Sequence, residues 1–180
     1  IVVRLPDTAE EPPGADLVAF DPEEISQIVE ESVGTSALFA ARFRDAPNPA
    51  FCKKDSDHPS ARLFPLERTN RQASVFDPKT KKYTFVDLCF GTHHPQFGYD
   101  ADNTLWFSGG GQVLGWLNTK VFDATGDAAK AQGWTAFVLD ANGNGKRDDY
   151  VEPDQPLDPA KDKRVAAGFY AVMPHPTDGS

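Results

Sequence analysis

The sequence predicts a mainly β protein: a partial β-propeller-like antiparallel meander that follows a short helical N-terminal segment. Three observations support this prediction. Short strand-like runs recur after residue 45, turns of the Asp-Pro and Asn-Gly type separate them, and aromatic residues recur at corresponding strand positions. An antiparallel sandwich shows the same alternation and is the alternative architecture.

The N-terminal segment, residues 1–44, is predicted to be helical. A capping box at residues 21–24, with Pro22 in the first turn, marks the start of one helix. A second helix is expected to begin at residue 35 or 36 and to carry Leu38, Phe39 and Phe43. The segment is acidic, with nine Asp and Glu against three Lys and Arg.

Residues 45–180 are predicted to contain the β structure. Residues 71–76 and 82–88 are strand-like and flank a hairpin turn at 77–81. A turn at 100–103 precedes a strand that the glycines at 109–111 interrupt. Further strand-like residues are expected at 112–117, 134–139 and 165–173, with a loop over 153–162. Three tryptophans are expected in the core of the sheets: Trp106, Trp116 and Trp134.

A calcium-type loop follows the strand predicted at 134–139. Side chains with oxygen atoms alternate along DANGNG (residues 140–145), and this spacing lets several oxygens converge on one hard cation. The predicted ligands are Asp140, Asn142, Asn144, the main-chain carbonyl of Lys146, and Asp148. Asp149 and Glu152 offer further oxygens, but position 12 of an EF-hand is occupied by Val151. The predicted cofactor is Ca²⁺; the alternative is a metal-free turn, because Asn-Gly is also a strong hairpin signal.

Composition limits the classes of function. The chain has 180 residues and a formal net charge of −9, which argues against a nucleic-acid-binding surface on the chain as a whole. No apolar run is long enough to span a membrane. Ile1 is not an initiator methionine, so we expect the chain to be processed or cut from a longer protein.

The two cysteines, Cys52 and Cys89, leave three interpretations open. They pair in an exported protein, and they remain thiols in the cytosol. In the third interpretation they join His58, His93 and His94 in a metal cluster, although the spacing matches no common zinc pattern.

His93 and His94 are the weak candidates for catalysis. A histidine at the mouth of a propeller can act as a general acid or base beside a divalent metal. Because adjacent strand residues face opposite sides, only one of the two can point into a site. In the simpler, structural interpretation, the other histidine lies at a strand end and forms a hydrogen bond with the backbone.

Five motifs resemble a family of exported bacterial β-propeller proteins, distantly similar to streptogramin lyases and described as carrying a carboxypeptidase-regulatory-like domain. The motifs are NPAFCKK (48–54), HPSARLFPL (58–66), CFGTHHPQF (89–97), DNTLWFSGGG (102–111) and DANGNGKRDDYVEPDQPLDPAKDKR (140–164). The resemblance covers about three quarters of the chain. It implies a periplasmic or extracellular location for residues 45–180.

The N-terminal segment resembles a different family. VVRLPDT (2–8) and FDPEEISQIVEESVGTSALFAARFR (20–44) are similar to the helicase-associated domain of the large helicase-related bacterial DNA helicases. This resemblance implies a cytoplasmic context, and the chain contains no P-loop for ATP hydrolysis. The two resemblances together indicate a chimera, with a natural fusion as the alternative.

Three functions follow from these observations. The first is a non-catalytic propeller fragment with a structural Ca²⁺ loop and a binding or scaffold role. The second is a lyase-like propeller enzyme that uses His93 or His94 and a divalent metal. The third is an accessory fragment of a DNA helicase. The expected partners are the missing propeller blades or another protein chain, because a propeller needs at least four blades to close.

Overall fold

The computed structural model describes residues 2–3, 38–77, 80–108, 111–168 and 170–177, with the backbone alone for 2–3, 38–46 and 70–71. It is mainly β, as the sequence predicts, and its few helices are short. The helix predicted to start near residue 21 lies outside the described residues.

The first sheet contains four antiparallel strands in the order β1-β2-β3-β4. The strands are β1 (Val2–Val3), β2 (Leu38–Pro47), β3 (Arg68–Asp77) and β4 (Lys82–Val86). The β3–β4 connection is the hairpin that the sequence predicts, and Asp77 accepts hydrogen bonds from the amide and the hydroxyl of Thr80. Local turn chemistry therefore sets this register.

The second predicted helix is wrong, because residues 38–47 form strand β2. Its backbone pairs with β3 from Leu38 opposite Phe76 to Pro47 opposite Arg68, with an irregularity between Phe43 and Ala46. The predicted boundary between residues 44 and 45 falls inside this strand. An alanine-rich run with three large apolar residues fits a helix by propensity alone, and strand pairing overrides that preference.

The second sheet is a four-stranded antiparallel meander in the order β5-β6-β7-β8. Its strands are β5 (Gln96–Phe97), β6 (Thr104–Phe107), β7 (Val113–Asn118) and β8 (Gln132–Ala136). The turn before β6 is the predicted one. Asp100 accepts hydrogen bonds from Asp102 and Thr104, and Asn103 has a φ of 49°.

Among the described residues, three short helices connect the strands. Helix α1 (Pro59–Leu63) follows a 3₁₀ turn at Ala50–Cys52, and α2 (Thr119–Thr125) and α3 (Ala128–Ala131) lie between β7 and β8. No helix in the described part of the chain is long and apolar enough to cross a lipid bilayer.

One buried cluster draws residues from both large sheets, including Ala73, Val86, Leu105, Leu117 and Trp134. Trp134 is 1% exposed, and its indole Nε1 donates a 2.7 Å hydrogen bond to the carbonyl of Phe64. The imidazole of His58 stacks on the indole at 4.8 Å.

The prediction of Trp106 and Trp116 as core residues is wrong. They face each other across β6 and β7 and are only half-buried, while Leu105 and Phe107 on the other face of β6 are buried. The alternation of strand side chains places the tryptophans on the outer face of the second sheet.

The cysteines are paired: a disulfide joins Cys52 to Cys89, and both residues are fully buried. Of the three interpretations, the disulfide is therefore the one confirmed. His58, His93 and His94 lie in other contacts, so the Cys/His metal cluster is wrong.

Three buried amide side chains hold the segment around the disulfide. Gln72 donates to the carbonyl of Leu88 and accepts from its amide, at 2.9 and 2.5 Å. Gln132 accepts from the amide of Cys89 at 2.9 Å, and Asn48 donates to its carbonyl at 2.7 Å. These side chains satisfy buried backbone groups of Leu88 and Cys89, which lie outside the described strands.

The third sheet is small and mixed, with the order β10-β11-β9. It consists of β9 (Val138–Leu139), β10 (Tyr150–Val151) and β11 (Asp162–Arg164). The strand expected at 165–173 is not present in the described residues of that range, and β11 ends before it. The described sheets close into neither a barrel nor a propeller, so the propeller-like arrangement stays a prediction.

Candidate metal-binding loop

The calcium-type loop connects β9 to β10 and lies beside β11, the central strand of the third sheet. Val138 pairs with Arg164 and Tyr150 pairs with Asp162, so the two ends of the loop are fixed on opposite sides of one strand. The small sheet thus provides the rigid base of the loop.

Asp140 organises the first half of the loop. Its Oδ1 accepts hydrogen bonds from the amides of Gly143 at 2.7 Å and Asn144 at 3.1 Å, and its Oδ2 accepts from the amide of Gly145 at 2.8 Å. A carboxylate accepts about four hydrogen bonds in all, so one acceptor position of Asp140 remains for a ligand.

The loop turns through two glycines with left-handed backbone. Gly143 has a φ of 71° and Gly145 a φ of 72°, a conformation that costs other residues energy. An added Cβ atom would meet nothing within 4 Å at either position, so their requirement for glycine is conformational.

Asn142, Asn144 and Asp148 meet in the second half of the loop. Asp148 Oδ2 accepts from Nδ2 of Asn142 at 2.8 Å and from Nδ2 of Asn144 at 2.5 Å. These two bonds, that from Asn142 first, lower the pKa of Asp148 below its ordinary value. Two amide groups therefore stabilise the ionised carboxylate.

The other residues that the sequence analysis names as sources of oxygen atoms have contacts of their own. Lys146 is exposed, and its amide donates to Asn144 Oδ1 at 2.8 Å. Asp149 is exposed, and its carbonyl accepts a hydrogen bond from the amide of Asp162. Glu152 Oε2 forms an ion pair with Arg164 at 2.6 Å.

Asp162 is the residue that the sequence analysis missed. It begins β11, is 2% exposed, and its Oδ2 accepts a 2.8 Å hydrogen bond from the amide of Asp148. It stands between lysines in AKDKR, a pattern typical of a solvated surface. No local pattern marks it, because strand pairing alone brings it to the loop.

Within the described residues, no three His, Cys, Asp or Glu side chains form a ready cluster for a metal ion. Asp140 accepts hydrogen bonds from backbone amides of the loop, and Asp148 Oδ2 accepts from the amide groups of both asparagines. Binding of a cation therefore requires the asparagine amides to turn their oxygens, in place of their nitrogens, towards Asp148.

His93 and His94 lie in the loop between β4 and β5, so strand alternation does not separate them. Their rings contact each other at 4.2 Å, and the ring of Tyr170 packs on that of His94 at 4.4 Å. His93 Nδ1 lies 3.3 Å from the carbonyl of Tyr170. His94 and Tyr170 are exposed, so this group of rings lies on the surface.

Comparison with known proteins gives two partial matches. The chain is 46% identical over 77 residues to an Lhr helicase/probable uracil glycosylase from Mycolicibacterium smegmatis, which is 43% of this chain and 5% of that protein. It is 58% identical over 45 residues to an Lhr helicase/uracil glycosylase from Escherichia coli, which is 25% of this chain and 3% of that protein. No family model and no solved structure matches the chain. Part of the chain is thus similar to short pieces of helicases in two bacteria.

Proposed function

We propose that residues 45–180, together with the part of strand β2 that precedes residue 45, form a non-catalytic binding or scaffold unit of an exported protein, stabilised by a Ca²⁺ ion in the loop 140–148. The observation that carries the proposal is that two carboxylates organise one short turn: Asp148 accepts from the side chains of Asn142 and Asn144, and Asp140 accepts from backbone amides of the turn. Carboxylate, amide and carbonyl oxygens are the ligands that Ca²⁺ prefers.

The disulfide supports the exported location. Cys52 and Cys89 are buried and joined, and such bonds persist in oxidising compartments. Calcium is abundant outside cells, which suits a loop with two neutral ligands. We expect a dissociation constant in the micromolar-to-millimolar range and weak competition from Mg²⁺, which demands near-octahedral geometry.

The propeller-like part of the proposal has support in the second sheet. A four-stranded antiparallel meander is the arrangement of one propeller blade. The proposed partners are further blades, on this polypeptide or on another protein chain. Among the described strands, β4 is an edge of the first sheet and exposes Tyr83 and Phe85, which suits a partner of this kind.

A thermal melt with millimolar calcium or with chelator tests the calcium proposal. Ligand that binds only the folded state raises the melting temperature. We expect calcium to stabilise the wild type and not Asp140→Ala, while Asp154→Ala behaves like the wild type. Asp154 is a suitable control because it is an exposed aspartate of the same region. Equal melting temperatures of the wild type in calcium and in chelator would reject the proposal.

The second candidate function is that of an accessory fragment of a DNA helicase, in a cytoplasmic context. The two helicase relatives favour it. Because the net charge is −9, we expect weak DNA binding at physiological salt and no ATPase activity. Fluorescence anisotropy with labelled duplex and single-stranded DNA tests this candidate, and a nanomolar dissociation constant would favour it over the scaffold role. The lyase alternative with His93 or His94 stays a prediction.

A further inference from the structure

Asp162 has one buried carboxylate oxygen without a partner. The residue is 2% exposed, and among the described residues nothing forms a hydrogen bond with its Oδ1. The ion pairs of the described residues do not include it. Burying an ionised carboxylate without a partner is unfavourable, and a ligand bound to this oxygen offsets that cost.

The backbone fixes this carboxylate against the loop. The amide of Asp162 donates to the carbonyl of Asp149 at 2.9 Å, and its Oδ2 accepts from the amide of Asp148 at 2.8 Å. Two contacts with consecutive loop residues hold the side chain at the base of the loop. The unpartnered Oδ1 shares a carbon with this oxygen and therefore lies at the same base.

Three carboxylates then belong to one connected network. The backbone amide of Asn144 donates to Asp140, and its side chain donates to Asp148. The backbone amide of Asp148 in turn donates to Asp162. This network connects three carboxylates to one loop, and carboxylate oxygens are ligands that Ca²⁺ prefers.

We propose that Asp162 Oδ1 is a direct ligand of the Ca²⁺ ion in this loop. The inference rests on the proposed calcium site and deepens it. In an EF-hand the acidic ligand that closes the site is at position 12 of the loop, which here is Val151. Asp162 takes that role from the neighbouring strand, so the ion joins the loop to the centre of the third sheet.

Terbium luminescence on the full chain tests this assignment. Tb³⁺ replaces Ca²⁺ at oxygen sites, and its decay rates in H₂O and D₂O count the water molecules bound to the ion. We expect Asp162→Asn to weaken calcium affinity by at least about tenfold. Mutation of residues that only hydrogen-bond to metal ligands already weakens metal affinity by about that factor. We also expect the bound Tb³⁺ to gain one or two waters. Asp154→Asn is the matched control and should change neither quantity.

The melting temperature in chelator shows whether Asp162 acts as a metal ligand or as a structural residue. Asn at position 162 keeps an oxygen for the amide of Asp148 and removes the unpaired charge. In chelator, Asp162→Asn should therefore melt at or above the temperature of the wild type. If this variant does not fold, Asp162→Glu keeps the charge, displaces the oxygens, and carries the same expectations for affinity and bound water.

The outcomes distinguish this inference from the calcium proposal. Wild-type affinity and water count in Asp162→Asn would overturn the inference and leave the loop as a calcium site. Weaker binding with an unchanged water count would also overturn it, because Asp162 would then only position Asp148. A wild type that binds neither ion would overturn both proposals.

Discussion

At the scale of single residues, the calcium-type loop depends on backbone conformations that glycine adopts without strain. Gly145 has a φ of 72° and open space where a Cβ atom would be. We predict that Gly145→Ala lowers the free energy of unfolding by about 1 kcal/mol, entirely through backbone strain. Gly145→Asn should cost less, because asparagine tolerates the left-handed region. Urea denaturation measures both, and equal loss in the two variants would contradict this explanation.

Asp127 provides a prediction about pH. Its pKa is lowered from the ordinary value of 3.8, first by the hydrogen bond with the Lys130 side chain and then by backbone amides at the start of α3. A carboxyl with a lowered pKa in the folded state adds stability above its ordinary pKa and loses it as the pH falls through the folded value.

We therefore predict that Asp127→Asn is less stable than the wild type at neutral pH. Asparagine keeps the cap of α3 but not the charge, so the two melting temperatures should converge as the pH falls below 3.8. Thermal melts over a pH series measure this difference. A difference that stays constant with pH would show that the charge of Asp127 contributes nothing.

At the scale of elements, buried amides replace strand pairing around the disulfide. Gln72→Ala removes both partners of the Leu88 backbone, and we predict a loss of about 2 to 4 kcal/mol, because two buried polar groups are left unpaired. Gln96→Ala is the control, since Gln96 is an exposed strand residue, and should stay within about 0.5 kcal/mol of wild type. Chemical denaturation that shows similar losses in both variants would contradict this role.

Turns set by local chemistry and strands with a clear alternating pattern could be predicted from the sequence, whereas the strand at 38–47 could not, because only its pairing determines it. The turns at Asp77 and Asp100 form because each side chain bonds its own loop. Leu38 and Phe39 belong to a strand because they pair with Phe76 and Val75 of β3, which lie 38 and 36 residues later in the sequence. Asp162 reaches the loop for the same reason, so the spacing of residues along the loop does not mark it.

At the scale of the whole molecule, the disulfide joins two segments separated by 37 residues within the shared core. We predict that the Cys52→Ala/Cys89→Ala variant loses about 4 kcal/mol of unfolding free energy, mainly because its unfolded chain is less constrained. Reduction of the wild type should produce a comparable loss. Denaturation midpoints that do not move on reduction would contradict a stabilising disulfide.

The central claim is that a calcium ion binds in the loop 140–148 and stabilises the β unit. The most direct measurement is a calcium titration followed by ¹⁵N NMR of the amides. We predict saturable shifts in the micromolar-to-millimolar range at Gly143, Gly145 and Asp148, absent in Asp140→Ala. Amide signals of this loop that do not move at calcium well above the millimolar range would contradict the claim.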